Sequence, residues 1–235
     1  SALLPTLTGT SLQPEVLGAL GGALARAGRH AEAVTRLGEL LLAFPDFVGH
    51  RNAQELLGDT YLALGDAARA TELFAALVES DPAGDLNGSL RRRLARAQQS
   101  LGDPEAALII YDRLLSEGAG AADSLQLARG RVLAGLGRVE EAVAAFGQVR
   151  RGALLPEARL GAADLHFAAG RFEPAAAAYA PLLDDDVEAG DFVADAAAGL
   201  KAAMSTVEND LRSTIKGAKK YESIHMLIEF HLVGI

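Results

Sequence analysis

The chain has 235 residues, of which half are apolar but only 5% are aromatic, and it contains no Trp and no Cys. The lack of Cys excludes disulfides, thiolate zinc sites and a thiol nucleophile, and the formal net charge of −9 argues against nucleic acid as a partner. No run of residues approaches the roughly 18 consecutive apolar residues that a membrane-spanning helix requires.

The N-terminal segment, residues 1–13, contains Pro, Thr and Gly. We interpret it as a loop or as the remnant of an earlier repeat. The chain begins with Ser rather than Met, which is compatible with the removal of a signal peptide. A cytoplasmic and a periplasmic location both stay open.

Residues 14–186 carry a pattern that repeats at three registers. A Gly ends each apolar-periodic run, an Ala follows five residues later, and a bulky apolar residue follows nine residues after the Gly. Agreement at all three registers through five repeats favours a repeat array over one globular domain. The five sets are Gly28, Ala33 and Leu37; Gly65, Ala70 and Phe74; Gly102, Ala107 and Tyr111; Gly137, Ala142 and Phe146; and Gly170, Ala175 and Tyr179.

Each register has a structural reason. Gly accepts the left-handed conformation that ends a helix, and Asp66 and Asp103 suit the N-cap of the helix that follows. The Ala lets two helices approach closely, and the bulky residue one turn later fills the gap to the neighbouring repeat. We therefore predict five helix pairs, repeats one to five, near residues 14–47, 51–84, 88–121, 123–154 and 156–188.

The sequence of repeat two resembles a tetratricopeptide repeat (TPR). The matching residues are Leu57, Gly58, Tyr61, Gly65, Ala70, Phe74 and Pro82, and a looser match in repeat one comprises Leu20, Gly21, Gly28, Ala33, Leu37 and Pro45. Repeats three to five keep the Gly, Ala and aromatic positions but lose the closing Pro. The resemblance implies an all-α, right-handed superhelix (an α-solenoid) of about five helix pairs, whose first helices line a concave, peptide-binding groove.

The composition of the chain changes after Met204. Residues 189–204 read as the first helix of a sixth repeat, whereas residues 205–235 hold one Ala and four of the six Ile. This last segment is a capping helix, an appended tail of foreign origin, or a segment that docks on a partner or on a second copy. An amphipathic stripe of Val207, Leu211, Ile215, Ala218 and either Ile224 or Tyr221 fits the capping helix.

No catalytic or metal-binding constellation is recognisable. His225 and His231 are six residues apart, which places them on different faces of a helix. The acidic run Asp184–Asp186 lacks the alternating ligands and the turn Gly of a calcium loop, and Gly18–Gly22 lacks the Gly-Lys-Ser/Thr ending of a phosphate loop. We therefore expect a protein that is not an enzyme and that holds neither cofactor nor metal.

The resemblance also assigns candidate groove residues through the register of the turn glycines. They are Arg26; Glu55, Asp59 and Leu62; Arg92, Arg96, Gln99 and Ser100; Arg131; and Leu160, Asp164 and Phe167. Arg92, Arg96 and Arg131 would form a row of guanidiniums suited to the carboxylates of an acidic segment. The alternatives for this row are salt bridges inside the groove, for instance to Asp59 or Asp164, and solvated charge.

The expected function follows from the groove. We predict a non-enzymatic scaffold that binds a peptide or segment of a protein partner, with apolar contacts from residues such as Leu62, Leu160 and Phe167. The family's clamp for a C-terminal carboxylate is not expected, because Gly18 and two acids occupy its Lys and Asn positions. The alternative function is a structural element that self-assembles into a homo-oligomer through its ends or its C-terminal tail. The Arg-rich and Ala-rich composition suggests a bacterial source.

Overall fold

The computed structural model describes residues 12–80, 88–183 and 192–232. This part of the chain contains eleven α-helices and no strand, which confirms the all-α fold class. The helices are α1 (Gln13–Arg26), α2 (His30–Ala43), α3 (His50–Ala63), α4 (Ala67–Ser80), α5 (Ser89–Leu101), α6 (Pro104–Ser116), α7 (Ala122–Gly135), α8 (Val139–Phe146), α9 (Leu155–Ala168), α10 (Phe172–Tyr179), a 3-10 turn (Ala180–Leu182) and α11 (Phe192–Leu232).

The contacts group the chain into two compact units, Ser1–Leu125 and Gln126–Ile235. In the first compact unit, consecutive helices from α1 to α6 pack against one another, and α3 also touches both α1 and α5. In the second, α9 packs against α8, α10 and α11, and α10 packs against α11. Consecutive helix pairs therefore stack within each unit, so that each pair buries apolar surface of its neighbour.

The five turn glycines adopt the left-handed conformation, with φ between 71° and 93°. At Gly102 the chain closes α5 with hydrogen bonds from the Gly102 and Asp103 amides to the carbonyls of Gln99 and Gln98, at 3.2 and 2.9 Å. Asp103 then caps α6, because its Oδ1 accepts a hydrogen bond from the amide of Ala106 at 3.0 Å. The predicted roles of the turn Gly and of the Asp cap are confirmed.

The Ala and bulky registers form the core of the repeats. The five register alanines are completely buried, and the bulky residues are at most 5% exposed. Each bulky side chain in repeats one, two and four lies against a Gly seven positions before the turn Gly. A Cβ added at Gly21 would lie 2.7 Å from Leu37, and one added at Gly58 would lie 2.5 Å from the Phe74 ring. These glycines therefore set how closely the two helices of a pair approach.

The last helix, α11, is continuous through Met204 and Ser205. The predicted boundary between residues 189–204 and 205–235 is thus not marked by any break in the helix. Its first part docks on repeat five, because Ala196 and Ala203 are completely buried and a Cβ added at Gly199 would collide with the Tyr179 ring. Gly161 of α9 meets Phe146 of the preceding repeat in the same way. The start of α11 therefore sits where the first helix of another repeat would sit.

Three of the sequence expectations fall outside the described residues. They concern residues 1–11, the closing Pro82 and the acidic run Asp184–Asp186. Within the described ranges, no helix combines the length and the apolar character needed to cross a membrane.

The contact between Gly58 and Phe74 gives a test of the packing. We expect Gly58→Ala to lower the free energy of unfolding by about 1–3 kcal/mol, because the new methyl group overpacks the helix pair. Gly38→Ala is the matched control within α2, since nothing lies within 4 Å of its Cβ position. The control should raise stability by roughly 0.5–1 kcal/mol through the better helix propensity of Ala. Urea unfolding of the full chain measures both, and equal shifts in the same direction would contradict the close approach.

Candidate functional site

The first helices of repeats two and three face each other with opposite charges. On α5, Arg93 donates from Nη1 to Glu55 Oε2 and lies 3.3 Å through Nε from Asp59 Oδ2, both on α3. Arg51 also lies 3.5 Å from Glu55. The candidate acids Glu55 and Asp59 are therefore paired inside the first compact unit, and their main partner is a residue that the sequence analysis did not select.

The carboxyl of Asp59 has a shifted pKa. Its side chain is about half-buried, and this burial raises the pKa of its carboxyl above the usual value. Arg93 and Arg96 oppose that shift, whereas the neighbouring Glu55 adds to it. The positive charge of Arg96 thus also acts on the Asp59 carboxyl, although within the described residues only Arg93 forms an ion pair with it.

The two candidate arginines on α5, Arg92 and Arg96, differ from the other arginines of this helix in their ion pairing. Arg91 forms an ion pair with Glu117 at 2.5 Å, and Arg93 is engaged as described above. Within the described ranges, Arg92 and Arg96 form neither an ion pair nor a hydrogen bond. Arg92 is half-buried and Arg96 is exposed. Ion pairing therefore separates Arg91 and Arg93 from the other two arginines of α5.

The other candidates in the first compact unit vary in exposure. Gln99 and Ser100, in the last turn of α5, are exposed, and so is Arg26 at the end of α1. Leu62 of α3 is half-buried and packs against the core cluster that contains Phe74. The part of the Leu62 side chain that stays exposed offers apolar surface on the same helix as Glu55 and Asp59.

The third arginine of the predicted row, Arg131, lies in the second compact unit. It is exposed, and its Nη2 donates to Glu157 of α9. Salt bridging was one of the alternatives for this row, and at Arg131 the structure shows such a pair. A wall that joins Arg131 to Arg92 and Arg96 stays a prediction.

The remaining candidates of repeat five take part in packing. Asp164 accepts a hydrogen bond of 2.6 Å from the Tyr179 hydroxyl, and burial together with this carboxylate raises the pKa of Tyr179. Phe167 lies edge-on to Phe172 with ring centroids 5.4 Å apart. Leu160 and Phe167 are half-buried against the core cluster around Tyr179. A ligand at this place would meet residues that the fold already uses.

A polar pair next to this cluster was not among the candidate residues. The Nδ1 atom of His166 is buried without a hydrogen-bond partner in the described part of the chain. Burial lowers the pKa of His166, and the positive charge of Arg171 lowers it further. Arg171 itself pairs with Glu140 at 3.3 Å. The surroundings of His166 therefore disfavour its protonated form.

The described residues offer no group of three or more His, Asp or Glu side chains that could hold a metal ion. The acidic side chains of the candidate site are instead engaged by arginines or by Tyr179. Its chemistry is therefore that of charged and apolar contact surfaces on helices.

A family model described as tetratricopeptide repeat matches residues 55–123 and 127–190, which together exceed half of the chain. The chain belongs to the tetratricopeptide repeat family. A second TPR model matches residues 14–39, within repeat one. TPR proteins generally mediate protein–protein interactions, and their fold is typically a non-enzymatic scaffold.

Solved TPR structures resemble most of the chain. A thermophilic TPR protein from Thermus thermophilus is 28% identical with a TM-score of 0.55, and the match covers 80% of this chain and 98% of that one. A TPR protein from Parabacteroides merdae is 20% identical, with a TM-score of 0.61 and coverage of 83% and 78%. The C-terminal part of a TPR protein from Cytophaga hutchinsonii is 12% identical, with a TM-score of 0.67 and coverage of 82% and 72%. A comparison with curated proteins gave no significant match.

The lowered pKa of His166 predicts a pH dependence of stability. Its folded-state pKa lies below the ordinary value of 6.5, so the unfolded chain binds more protons between the two values. The contribution of His166 is therefore fully present above pH 6.5 and is lost as the pH falls through the folded-state pKa. We expect His166→Gln to flatten this part of the curve of unfolding free energy against pH, as measured by urea unfolding at several pH values. An unchanged slope in the variant would contradict the assignment.

Proposed function

We propose that this TPR protein is a non-enzymatic scaffold that binds an acidic segment of a protein partner along the first helices of its repeats. The observation that carries the proposal is the uneven pairing of the arginines on α5. Arg91 and Arg93 are neutralised, whereas Arg92 and Arg96 have no ion-pair partner in the described ranges. Members of the family generally bind proteins, and these two side chains give such binding a chemical preference.

The spacing of the two arginines suits carboxylates. Residues four apart on a helix lie one above the other, about 5–6 Å apart at Cβ. Carboxylates two residues apart on an extended peptide are separated by roughly 7 Å, and each can form a bidentate pair with a guanidinium. Arg92 and Arg96 would therefore bind a segment with two acidic residues on the same side of an extended chain.

The charges around α5 would orient a bound segment. The helix sequence from Ser89 to Leu101 contains four arginines and no acid, in a chain whose net charge is −9. Glu55 and Asp59 on α3 lie directly beside this basic island. An acidic segment would be attracted by Arg92 and Arg96 but repelled by Asp59, and such complementary and repulsive charges fix the orientation of a partner.

The neighbouring candidates would complete the contact. Leu62 offers apolar surface beside the acid pair, and the exposed Gln99 can hydrogen-bond the backbone of an extended segment. In the second compact unit, Arg131 and Asp164 would have to exchange their bonds to Glu157 and Tyr179 to reach a ligand. We therefore expect the α5 arginines to dominate the binding energy.

A double charge reversal tests the role of α5. We expect Arg92→Glu with Arg96→Glu to weaken binding at least about tenfold, because two charge-assisted pairs become repulsive. The partner is first captured from the native source and identified by mass spectrometry, and its affinity for the full chain is then measured by calorimetry. Arg150→Glu with Arg151→Glu is the control, since both side chains are exposed in the loop before α9 and the charge change is equal.

The two variants separate the possible results. Weak binding by the α5 variant and near-normal binding by the control would support the proposal. Equal losses in both variants would attribute the weaker binding to net charge alone. Undiminished binding by the α5 variant would show that Arg92 and Arg96 do not bind the partner. Circular dichroism verifies that both variants remain helical.

A further inference from the structure

The helix α11 is far longer than any other helix described in the chain. It has 41 residues, against 8–14 for the other ten, and is therefore about 60 Å long. Ala196 and Ala203 bury one face of its first part against repeat five. Asp210 is the last residue that lines a cavity with the start of α10. The helix thus runs on for about six turns after that point.

The sequence of α11 carries a second stripe, which overlaps the face turned toward repeat five at Leu200 and Val207. Twelve positions alternate in steps of four and three residues from Val193 to Leu232, and all but Thr214 and His225 are apolar. A strict alternation of this kind has a period of 3.5 and is the signature of a coiled-coil seam. The seam positions are Val193, Ala197, Leu200, Met204, Val207, Leu211, Thr214, Ala218, Tyr221, His225, Ile228 and Leu232.

Where its side chains are described, much of this seam is open to solvent. Met204 is 59% exposed and Val193 is 42% exposed. Met204 also lines a cavity of about 630 Å³ with a largely apolar lining that includes Leu183, Ala197 and Leu200. Leu200 packs against repeat five from one side of the stripe. The seam therefore begins as an apolar strip that is exposed at Val193, Ala197 and Met204 and partly covered at Leu200.

We propose that a second copy of this chain covers the seam, so that two α11 helices form a coiled coil and the protein is a homodimer. A partner for this seam must itself repeat every 3.5 residues over several heptads. The other ten described helices span two heptads at most, so α11 of another copy is the matching helix. A helix that contains Gly217 and several β-branched residues also gains stability from such packing, because isolated helices are marginal in water.

The charge distribution favours contact between copies at this place. Residues 205–235 contain four Lys or Arg and four Asp or Glu, so the segment is neutral, and the net charge of −9 lies entirely in residues 1–204. Two copies that meet along α11 therefore avoid most of the repulsion between their acidic repeats. This dimer does not depend on the binding of an acidic segment at α5.

A pair of lysine substitutions on the seam tests the dimer in the full chain. The purified protein should sediment as a dimer of about 49 kDa, twice its 24.4 kDa. Met204→Lys with Leu211→Lys should give the monomer, because two charges would be buried between apolar side chains. Asn209→Lys with Ser213→Lys adds the same charge at exposed positions outside the seam, and this control should stay dimeric.

Each outcome of the sedimentation experiment either supports or refutes the homodimer. A monomeric wild type at about 100 μM, or a seam variant that stays dimeric, would overturn the proposal. If the double variant loses helical circular dichroism, Met204→Lys alone is decisive, since that side chain is mostly exposed and contributes little to the fold of its own copy. The expected result for this single variant is a dimer dissociation constant at least about tenfold above that of Asn209→Lys, and an equal constant would refute the seam.

Discussion

The fit of a large side chain against a glycine of the facing helix is the contact that sets the helix pairs of repeats one, two and four. Phe74 occupies the space that Gly58 leaves free, and Leu37 does the same at Gly21. Hydrophobic burial alone has no direction, so the match of sizes fixes how the two helices of a pair cross. The same device continues at Gly199, where Tyr179 receives the start of α11. The start of α11 is therefore positioned by the same kind of contact as the helix pairs of repeats one, two and four.

The sequence allows this scaffold to be predicted because its signals are local. The turn glycines are set by backbone conformation, Asp103 by the orphan amides of a helix start, and the buried Ala register by helix periodicity. The partners of charged side chains are not local. Arg93, rather than Arg92, forms the salt bridge to Glu55. Which arginine does so depends on the spacing between two repeats, and the pattern within a single helix does not contain that spacing. The run of three arginines opposite two acids was the available signal.

The continuity of α11 was beyond sequence reasoning for a related reason. Composition changes sharply after Met204, and a change of composition resembles a boundary between elements. Helix formation responds to propensity and packing, and neither is interrupted at Met204 and Ser205.

Two copies joined along α11 would place two basic α5 helices in one assembly. A partner with two acidic segments would then bind with an avidity above that of either site alone.

The unbroken course of α11 also limits the evolution of the array. Gly161 lies nine residues before the turn Gly170, and the equivalent distance from Gly199 leads to Glu208. A further repeat would need a reversal of the chain there, but α11 passes this point as regular helix. Duplication of a module at this end would have to insert the new copy ahead of α11. Within the described residues, α11 thus occupies the place where the first helix of a further pair would end in a turn.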